Sequence, residues 1–433
     1  MTWTNWAGSQ RCAPIAVEHP DDEHSLCQVV KVAAVAGQTV KAVGSGHSFT
    51  DCACTDGRMV VLDKYNRVLE VDTAKQQVTV QAGITIAELN AELAARRLAL
   101  ANLGDIAYQT ISGAIATATH GTGRTLGGIA TQVVAMSVVT GDGSVVRASA
   151  DEEPEIFRAA RVGVGALGLV STVTIQCVPV FNLHVVERGE RLDALLEHLD
   201  EDVESNDHFE FFWVPHTGGA LTKRNNRTDE PERPRGRVSA FFDDYVSENI
   251  AFGALCRLGR RFPRLIPRLN HVTVGGSTGK DYVERSDKVF ASPRLIHFHE
   301  MEYSIPRAAA PAALRELRDF INRSGLRISF PVEVRFTAAD DIPLSTAYGE
   351  ERCYIAVHVY TGMLWEQYFR GVEAIMKGLG GRPHWGKMHY RTAADLAPVY
   401  PEWERFQAVR ARLDPDGRFT NQYTERVLGP VTA

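Results

Sequence analysis

The strongest constraint on the fold of this chain is a strand-like run that ends in a glycine-rich turn. Residues 39–43 have β-type character, and they lead directly into the turn Gly44-Ser45-Gly46-His47-Ser48-Phe49. Glycines in such a turn let successive backbone N–H groups point into one concavity, which suits a pyrophosphate. Taken alone, the turn is equally consistent with a tight turn that exposes a histidine.

The turn differs from the glycine fingerprint of nicotinamide-dinucleotide folds. That fingerprint, G-x-G-x-x-G, has glycine at its sixth position and opens a helix. Here the sixth position is Phe49, and residues 50–57 have the composition of a turn. A nicotinamide-dependent dehydrogenase remains an alternative, and this difference counts against it.

Two further segments combine glycine with other small residues. Residues 102–105 read Asn-Leu-Gly-Asp and lead to Ser-Gly-Ala-Ile-Ala-Thr-Ala-Thr-His-Gly-Thr-Gly at 112–123, and residues 163–170 read Gly-Val-Gly-Ala-Leu-Gly-Leu-Val. Small residues allow the backbone to approach a flat or phosphorylated ligand closely. The three segments together indicate that a cofactor is threaded through the N-terminal part of the chain.

The length of 433 residues fits two or three domains rather than one core. Residues 1–178 alternate short strands with helices and predict one α+β unit. Residues 179–400 contain strands followed by helices, which favours an antiparallel sheet covered by helices on one face. Residues 401–433 predict a helix and a turn that return to the first unit.

Charge and cysteine content exclude several classes of protein. The net charge is −6, so no global positive field would recruit nucleic acid. The seven cysteines are scattered and form no C-x-x-C pair, which predicts neither a disulfide framework nor a metal site. The sequence shows no signal peptide and no apolar run long enough for a membrane span, so we expect a cytoplasmic protein.

One local exception to the acidic balance lies between Cys256 and Asn270, where five arginines occur. Such a segment could touch an anionic membrane surface or an acidic redox partner. The composition alone favours a solvated helix face or a cap over acidic neighbours, and membrane contact is not expected.

The motifs together resemble the vanillyl-alcohol-oxidase-type FAD family, and within it the aldonolactone oxidoreductase branch. The matching pieces occur in the expected order over nearly the whole chain, at 43–48, 118–123, 165–168, Pro331-Val332-Glu333-Val334-Arg335 and His384-Trp385-Gly386-Lys387. The resemblance implies an α+β fold with a two-lobed FAD-binding domain of the PCMH type. It also implies an antiparallel-sheet cap domain that binds the substrate.

The same resemblance implies that FAD is bonded covalently to His47 through its 8α-methyl group, with non-covalent binding as the alternative. It implies that Gly104 leaves an open path for oxygen to the flavin. The implied cofactor-binding residues are Val43, Gly44, Ser45, Gly46, His47, Ser48, Gly104, Asp105, Ser112, Gly113, Ala116, Thr117, His120, Gly121, Gly168, Val170, His384 and Lys387.

Candidate reacting groups occur as pairs two residues apart in strand-like runs, so that both members of a pair share one face. Glu333 and Arg335 form one pair, for which a solvent-facing ion pair is an equally good interpretation from the residues alone. His358 and Tyr360 form the second, with a core histidine as the alternative. The resemblance implies that these four hold the substrate and that Lys387 is a further catalytic cation near the flavin.

The predicted reaction is oxidation of a sugar 1,4-lactone, of the L-gulono-1,4-lactone type, at its C2 hydroxyl. A hydride would pass to flavin N5, and O2 or another redox acceptor would reoxidise the flavin. One alternative is an oxidase of a primary alcohol on an alditol or nucleoside. Another, from a different class, is a non-catalytic FAD-carrying redox or binding protein.

Overall fold

The computed structural model describes residues 2–236, 250–275, 279–291 and 295–432. Its first lobe is a parallel three-stranded sheet in the order Ala16–Glu18, Arg58–Val61, Val40–Val43. Helix Glu23–Val35 begins at a capping box, in which the Asp22 carboxylate accepts the Ser25 N–H at 2.6 Å. This sheet delivers the end of strand Val40–Val43 to the glycine turn.

The second lobe is a five-stranded antiparallel sheet in the order Val145–Ser149, Val133–Val139, Leu169–Gln176, Gln77–Gln81, Val68–Asp72. Helices Ile86–Ala95, Ile111–Ala116 and Pro154–Ala160 belong to the same lobe. Helix Ile86–Ala95 begins at a capping box, in which the Thr85 hydroxyl accepts the Glu88 N–H at 3.2 Å. The prediction of a two-lobed α+β unit is therefore confirmed.

The remaining large sheet has eight strands, and all of its pairs are antiparallel. Its order is Lys280–Arg285, Asn182–Arg191, Gly219–Thr228, His208–Trp213, Val332–Thr337, Arg352–Tyr360, Phe298–Pro306, Arg382–Pro383. Helices Leu192–Glu197, Leu199–Ser205, Ala310–Ser324 and Glu366–Gly378 share one apolar core with it. This confirms the predicted antiparallel sheet covered by helices.

Side chains alternate along the central strands of the large sheet between the helix-covered face and the opposite face. In strand Val332–Thr337, Val332, Val334 and Phe336 pack into the helix-side core. The residues between them therefore point to the other face, which looks toward the N-terminal unit. The same alternation in the neighbouring strands places Glu210, Glu300, Glu302 and His358 on that face. A layer of charged side chains is thus held between the two units.

Helices Ala393–Leu396, Trp403–Leu413 and Gln422–Leu428 follow the large sheet and pack into the core of the N-terminal unit. The Val40 N–H donates to the Arg418 carbonyl at 2.8 Å, which ties this segment to the first lobe. The remaining described α-helices are Phe252–Arg261, Ile266–Gly275 and Ser286–Phe290, and the remaining described strands are the short ones Trp3–Thr4, Arg11–Cys12, Leu98–Ala99 and Val178–Pro179. None of the described helices combines the length and the apolar character needed to cross a bilayer.

Candidate active site

The glycine turn forms one wall of a cavity of about 780 Å³. Gly46 has a φ of +68°, and a Cβ on Gly44 would lie 2.2 Å from the Thr110 hydroxyl, so both positions require glycine. Within the described part of the chain, the backbone N–H groups of residues 45–48 donate no hydrogen bond to the protein. These donors are available to an anionic ligand, so the turn fits the pyrophosphate of a dinucleotide cofactor.

Most of the predicted cofactor-binding residues of the N-terminal unit meet at this cavity. It is lined by Val43, Gly44, Ser45, Gly46, His47, Ser48, Gly113, Ala116, Thr117 and Gly168. Ser112 has a different role, because its hydroxyl donates to the Ala82 carbonyl at 2.8 Å. Gly121 packs against the Leu103 carbonyl, where a Cβ would come within 2.1 Å. Val170 does not line the cavity.

Lys41 lines the same cavity and was missed by the sequence reasoning. Its ammonium donates to the carbonyls of Gly165 and Phe419 at 2.9 and 3.1 Å. Burial lowers the pKa of Lys41 to about 8. A buried cation beside the unused N–H groups adds positive potential where a pyrophosphate would bind. A lysine inside an otherwise apolar strand was the signal that could have revealed it.

His47 lies at the edge of the glycine turn, with its ring stacked on Trp6 at a centroid distance of 5.3 Å. Its Nδ1 atom is buried and has no hydrogen-bond partner among the described residues. Burial and the nearby Lys387 ammonium lower the pKa of His47 to about 4. The imidazole is therefore neutral at physiological pH, which is the form that can act as a nucleophile.

A second cleft, with about 1000 Å³ of empty space that is partly open to solvent, adjoins the first, and Gln109 lines both. Its charged and polar wall comes from the large sheet, from the segment that follows the sheet, and from residues 104–120 of the N-terminal unit. The residues that line it include Gly104, Asp105, His120, Glu300, Glu302, Glu333, Arg335, His358, His384 and Lys387. Tyr360, also predicted to bind substrate, lies outside the cleft, and the guanidinium of Arg260 lies over its ring.

Arg335 is surrounded by three carboxylates. It forms ion pairs with Glu333, with Glu210 at 2.8 Å and with Asp105 at 2.5 Å. Lys223 lies 3.4 Å from the far oxygen of Glu210. Burial raises the pKa of Glu333 to about 7. The negative charges of Asp105 and Glu210 raise this pKa further, and the positive charge of Arg335 offsets only part of the increase. Glu333 is thus the carboxyl of this cluster that can exchange a proton near neutral pH.

A second ion-pair group contains Lys387, Glu300 and His358. Lys387 Nζ lies 2.5 Å from one oxygen of Glu300, and His358 Nε2 lies 3.5 Å from the other. Burial would raise the pKa of Glu300, but Lys387 and His358 outweigh it and lower the pKa to about 2. The negative charges of Glu300, Glu302 and Glu333 raise the pKa of Lys387 in spite of its burial. Both groups are therefore charged at neutral pH, and the cleft holds a fixed cation.

His120, Glu302 and His384 form a third cluster deeper in the cleft. His120 Nε2 lies 3.2 Å from Glu302, and His120 Nδ1 contacts the Gly121 carbonyl at 2.9 Å. His384 Nδ1 accepts the Gly386 N–H at 3.0 Å, and burial lowers its pKa to about 3. The ligand atoms lie within 4.8 Å of one another. Because Nδ1 of the neutral His384 accepts the Gly386 N–H, its proton lies on Nε2, and in this tautomer Nε2 offers no lone pair to a metal ion.

Sequence reasoning missed Glu210, Glu300 and Glu302. Each is a charged residue that alternates along its strand with residues of the apolar core. That is the same pattern that identified Glu333 and Arg335. The signal was present, but which strands are neighbours could not be read from it.

The chain is similar over its whole length to proteins of known activity. A family model described as "D-arabinono-1,4-lactone oxidase" matches residues 173–427, and one described as "FAD binding domain" matches residues 14–149. L-gulono-1,4-lactone dehydrogenase of Mycobacterium tuberculosis is 49% identical over 431 residues, which cover 99% of each chain. L-gulonolactone oxidase of Bos taurus is 37% identical, with 99% of this chain and 98% of that one covered.

Among solved structures, a chain titled "Solvent-stable cholesterol oxidase" superimposes with a TM-score of 0.83 at 18% identity. The superposition covers 99% of this chain and 97% of the other. At that identity the likeness concerns the fold alone.

Proposed function

The chain belongs to the D-arabinono-1,4-lactone oxidase family, in the aldonolactone oxidoreductase branch of the FAD enzymes, and on that premise we propose that it oxidises L-gulono-1,4-lactone or a close analogue at the C2 hydroxyl. It is an FAD-dependent oxidoreductase that acts on CH–OH groups of aldonolactones. One observation carries the proposal for the site. The Glu333–Arg335 and Glu300–Lys387 pairs line a single cleft that adjoins the glycine-turn cavity.

Each of these residues has a task that follows from its charge and surroundings. When bound, FAD accepts the hydride that leaves the carbinol carbon. Arg335 remains cationic and donates hydrogen bonds to hydroxyl oxygens of the lactone. Glu333 accepts the proton of the hydroxyl that is oxidised, because its pKa near 7 allows it to be ionised before the reaction and protonated after it. Lys387 provides the positive charge that offsets the negative charge gained on reduction.

Anaerobic mixing with candidate substrates, followed at the flavin absorbance, tests this assignment. L-gulono-1,4-lactone should bleach the flavin, whereas xylitol and a nucleoside should not. Bleaching by xylitol or the nucleoside alone would favour oxidation of a primary alcohol. If no lactone, polyol or nucleoside bleaches the flavin, a non-catalytic redox or binding role replaces the proposal.

We also propose that His47 holds FAD covalently. Its neutral imidazole and buried, unpartnered Nδ1 support bond formation with the cofactor. The variant His47→Ala is expected to release its yellow colour into the supernatant after acid precipitation, while the unmodified protein keeps its colour in the pellet. Ser48→Ala, in the same turn, should retain the bond. Release of the flavin from the unmodified protein would contradict the tether.

Gly104 supports a proposal about the electron acceptor. A Cβ at this position would approach the His120 carbonyl oxygen to 3.0 Å at the wall of the cleft, so alanine narrows the space there. In Gly104→Ala we expect reoxidation of the reduced flavin by O2 to slow by about tenfold or more, with anaerobic reduction by lactone nearly unchanged. Gly163→Ala, whose Cβ would meet only ordinary contacts, is the control. Slow reoxidation of the unmodified enzyme in air-saturated buffer would show that Gly104 does not suffice to open a path for oxygen.

A further inference from the structure

The arginine-rich segment forms two short helices on the surface of the large-sheet domain. Helices Phe252–Arg261 and Ile266–Gly275 are joined by a 3₁₀ turn at Pro263–Leu265. We call this pair the arginine surface. Residues 250–275 contain no aspartate or glutamate, in a chain whose net charge is −6. The exposed arginines are Arg257, Arg260, Arg261, Arg264 and Arg268.

The composition of this segment predicts a solvated helix face or a cap over acidic neighbours. Among the residues that the structure describes, none of the five arginines forms an ion pair. Arg260 instead donates to the Thr361 carbonyl at 3.2 Å and lies over the ring of Tyr360. No acidic side chain among the described residues therefore neutralises the positive charge of this surface or caps it.

Phe252 of the first helix packs against an apolar cluster, but two other large apolar side chains at this helix are partly exposed. A soluble protein usually turns the large apolar residues of such a helix inward. Here the buried positions are the small residues Gly253, Cys256 and Gly259. Leu258 and Phe262, four residues apart and so on one face, are 40% and 49% exposed.

More apolar surface surrounds this helix. Val272 on the second helix is 64% exposed, and Leu364 is 92% exposed in the loop that Arg260 contacts. Large apolar side chains interspersed with arginines and without acidic residues are typical of helices that lie in the interface of a bilayer. Leu258, Phe262, Val272 and Leu364 thus expose apolar surface in the same region as the arginines.

We propose that the arginine surface docks on an anionic lipid bilayer. The guanidinium groups bind lipid phosphates, for which their planar donor geometry is suited. Leu258 and Phe262 enter the boundary between headgroups and acyl chains. The contact is peripheral and requires no spanning helix. Because Phe252 and Ile296 line the active-site cleft, the docked enzyme holds one wall of that cleft against the bilayer.

Co-sedimentation of the holoenzyme with vesicles tests the proposal. We expect binding to phosphatidylcholine vesicles that contain about 30% phosphatidylglycerol, little binding to pure phosphatidylcholine, and loss of binding at about 0.5 M salt. The variant R257Q/R261Q/R264Q/R268Q should bind the anionic vesicles at least about a hundredfold more weakly. It leaves Arg260 and its loop contact intact.

A matched control separates local charge from net charge. R96Q/R323Q/R405Q/R412Q removes four exposed arginines from other surfaces and should bind like the unmodified enzyme. Phe262→Trp adds an interfacial reporter, whose fluorescence should shift to the blue with anionic vesicles. Phe262→Ser should weaken vesicle binding while thermal melting and lactone turnover stay unchanged.

Three outcomes would overturn the proposal. The unmodified enzyme could fail to sediment with anionic vesicles at low salt, or the control variant could lose binding as fully as the first variant. Binding to soluble polyglutamate that matches vesicle binding and is insensitive to Phe262→Ser would assign the surface to an acidic protein partner instead.

Discussion

Replacing Glu333 with glutamine should lower kcat/KM for the lactone by about 10²–10⁴-fold, the usual range for loss of a general base. Glutamine keeps the size of the side chain and can still hydrogen-bond, but it cannot take up the hydroxyl proton. Glu333 shares Arg335 with Asp105 and Glu210, so removing its charge relieves repulsion between buried carboxylates. The melting temperature should therefore stay the same or rise, and the loss of activity cannot be ascribed to unfolding.

The pH dependence of the unmodified enzyme gives a second measure of the same residue. Burial raises the pKa of Glu333 to about 7, so the carboxyl is mostly protonated below pH 7 and ionised above it. Because the ionised form accepts the proton, kcat/KM should rise as pH increases through about 7 and then level off. This rise should be absent from Glu333→Gln. Its persistence in the variant would assign the titration to another group.

Glu210→Gln is the matched control for both measurements. Glu210 contacts the same arginine and is equally buried, but it lies outside the residues that line the cleft. Its removal should reduce kcat/KM much less than that of Glu333. With one neighbouring negative charge fewer, the pKa of Glu333 should fall, and the rise in kcat/KM should move to lower pH. An equal loss of activity in both variants would mean that the charge of the cluster, rather than Glu333 itself, supports the reaction.

The residues of this cluster also show how far sequence reasoning could reach. The two-residue period of a strand predicted that Glu333 and Arg335 share a face, and the shared face is observed. The positions of Glu210 beside Arg335 and of Glu300 beside His358 were not predictable, because they depend on the pairing of distant strands. Glu210 lies opposite Arg335, and Glu300 lies opposite His358. That register is fixed by packing across the whole sheet, so no local pattern encodes it.

Helix prediction succeeded where the local signals were complete. The sequence of residues 308–323 predicts a helix, which is observed at Ala310–Ser324 and ends before Gly325, whose φ is +71°. The sequence of residues 191–200 predicts a single helix, whereas the structure has two short helices, Leu192–Glu197 and Leu199–Ser205, separated at His198. At the break, His198 contacts Asp202 and Glu190. Apolar periodicity does not report such side-chain contacts.

Lys387→Met should reduce the rate of anaerobic flavin reduction by about 10²–10³-fold, as for removal of one charge-stabilising donor in other enzymes. The variant also breaks the buried pair with Glu300, whose oxygen lies 2.5 Å from the ammonium. Leaving that carboxylate without its cation should destabilise the protein by about 3 kcal/mol or more. Loss of activity in this variant alone would thus have two explanations.

The double variant E300Q/K387M separates them. It removes both charges of the pair, so most of the lost stability should return, and thermal melting measures this. If Lys387 supplies charge to the reaction, flavin reduction in the double variant should stay as slow as in Lys387→Met. Recovery of the rate together with the stability would show that Lys387 only holds Glu300 in place. The single variant Glu300→Gln completes the cycle, because it keeps the ammonium in the cleft and should remain substantially more active than Lys387→Met.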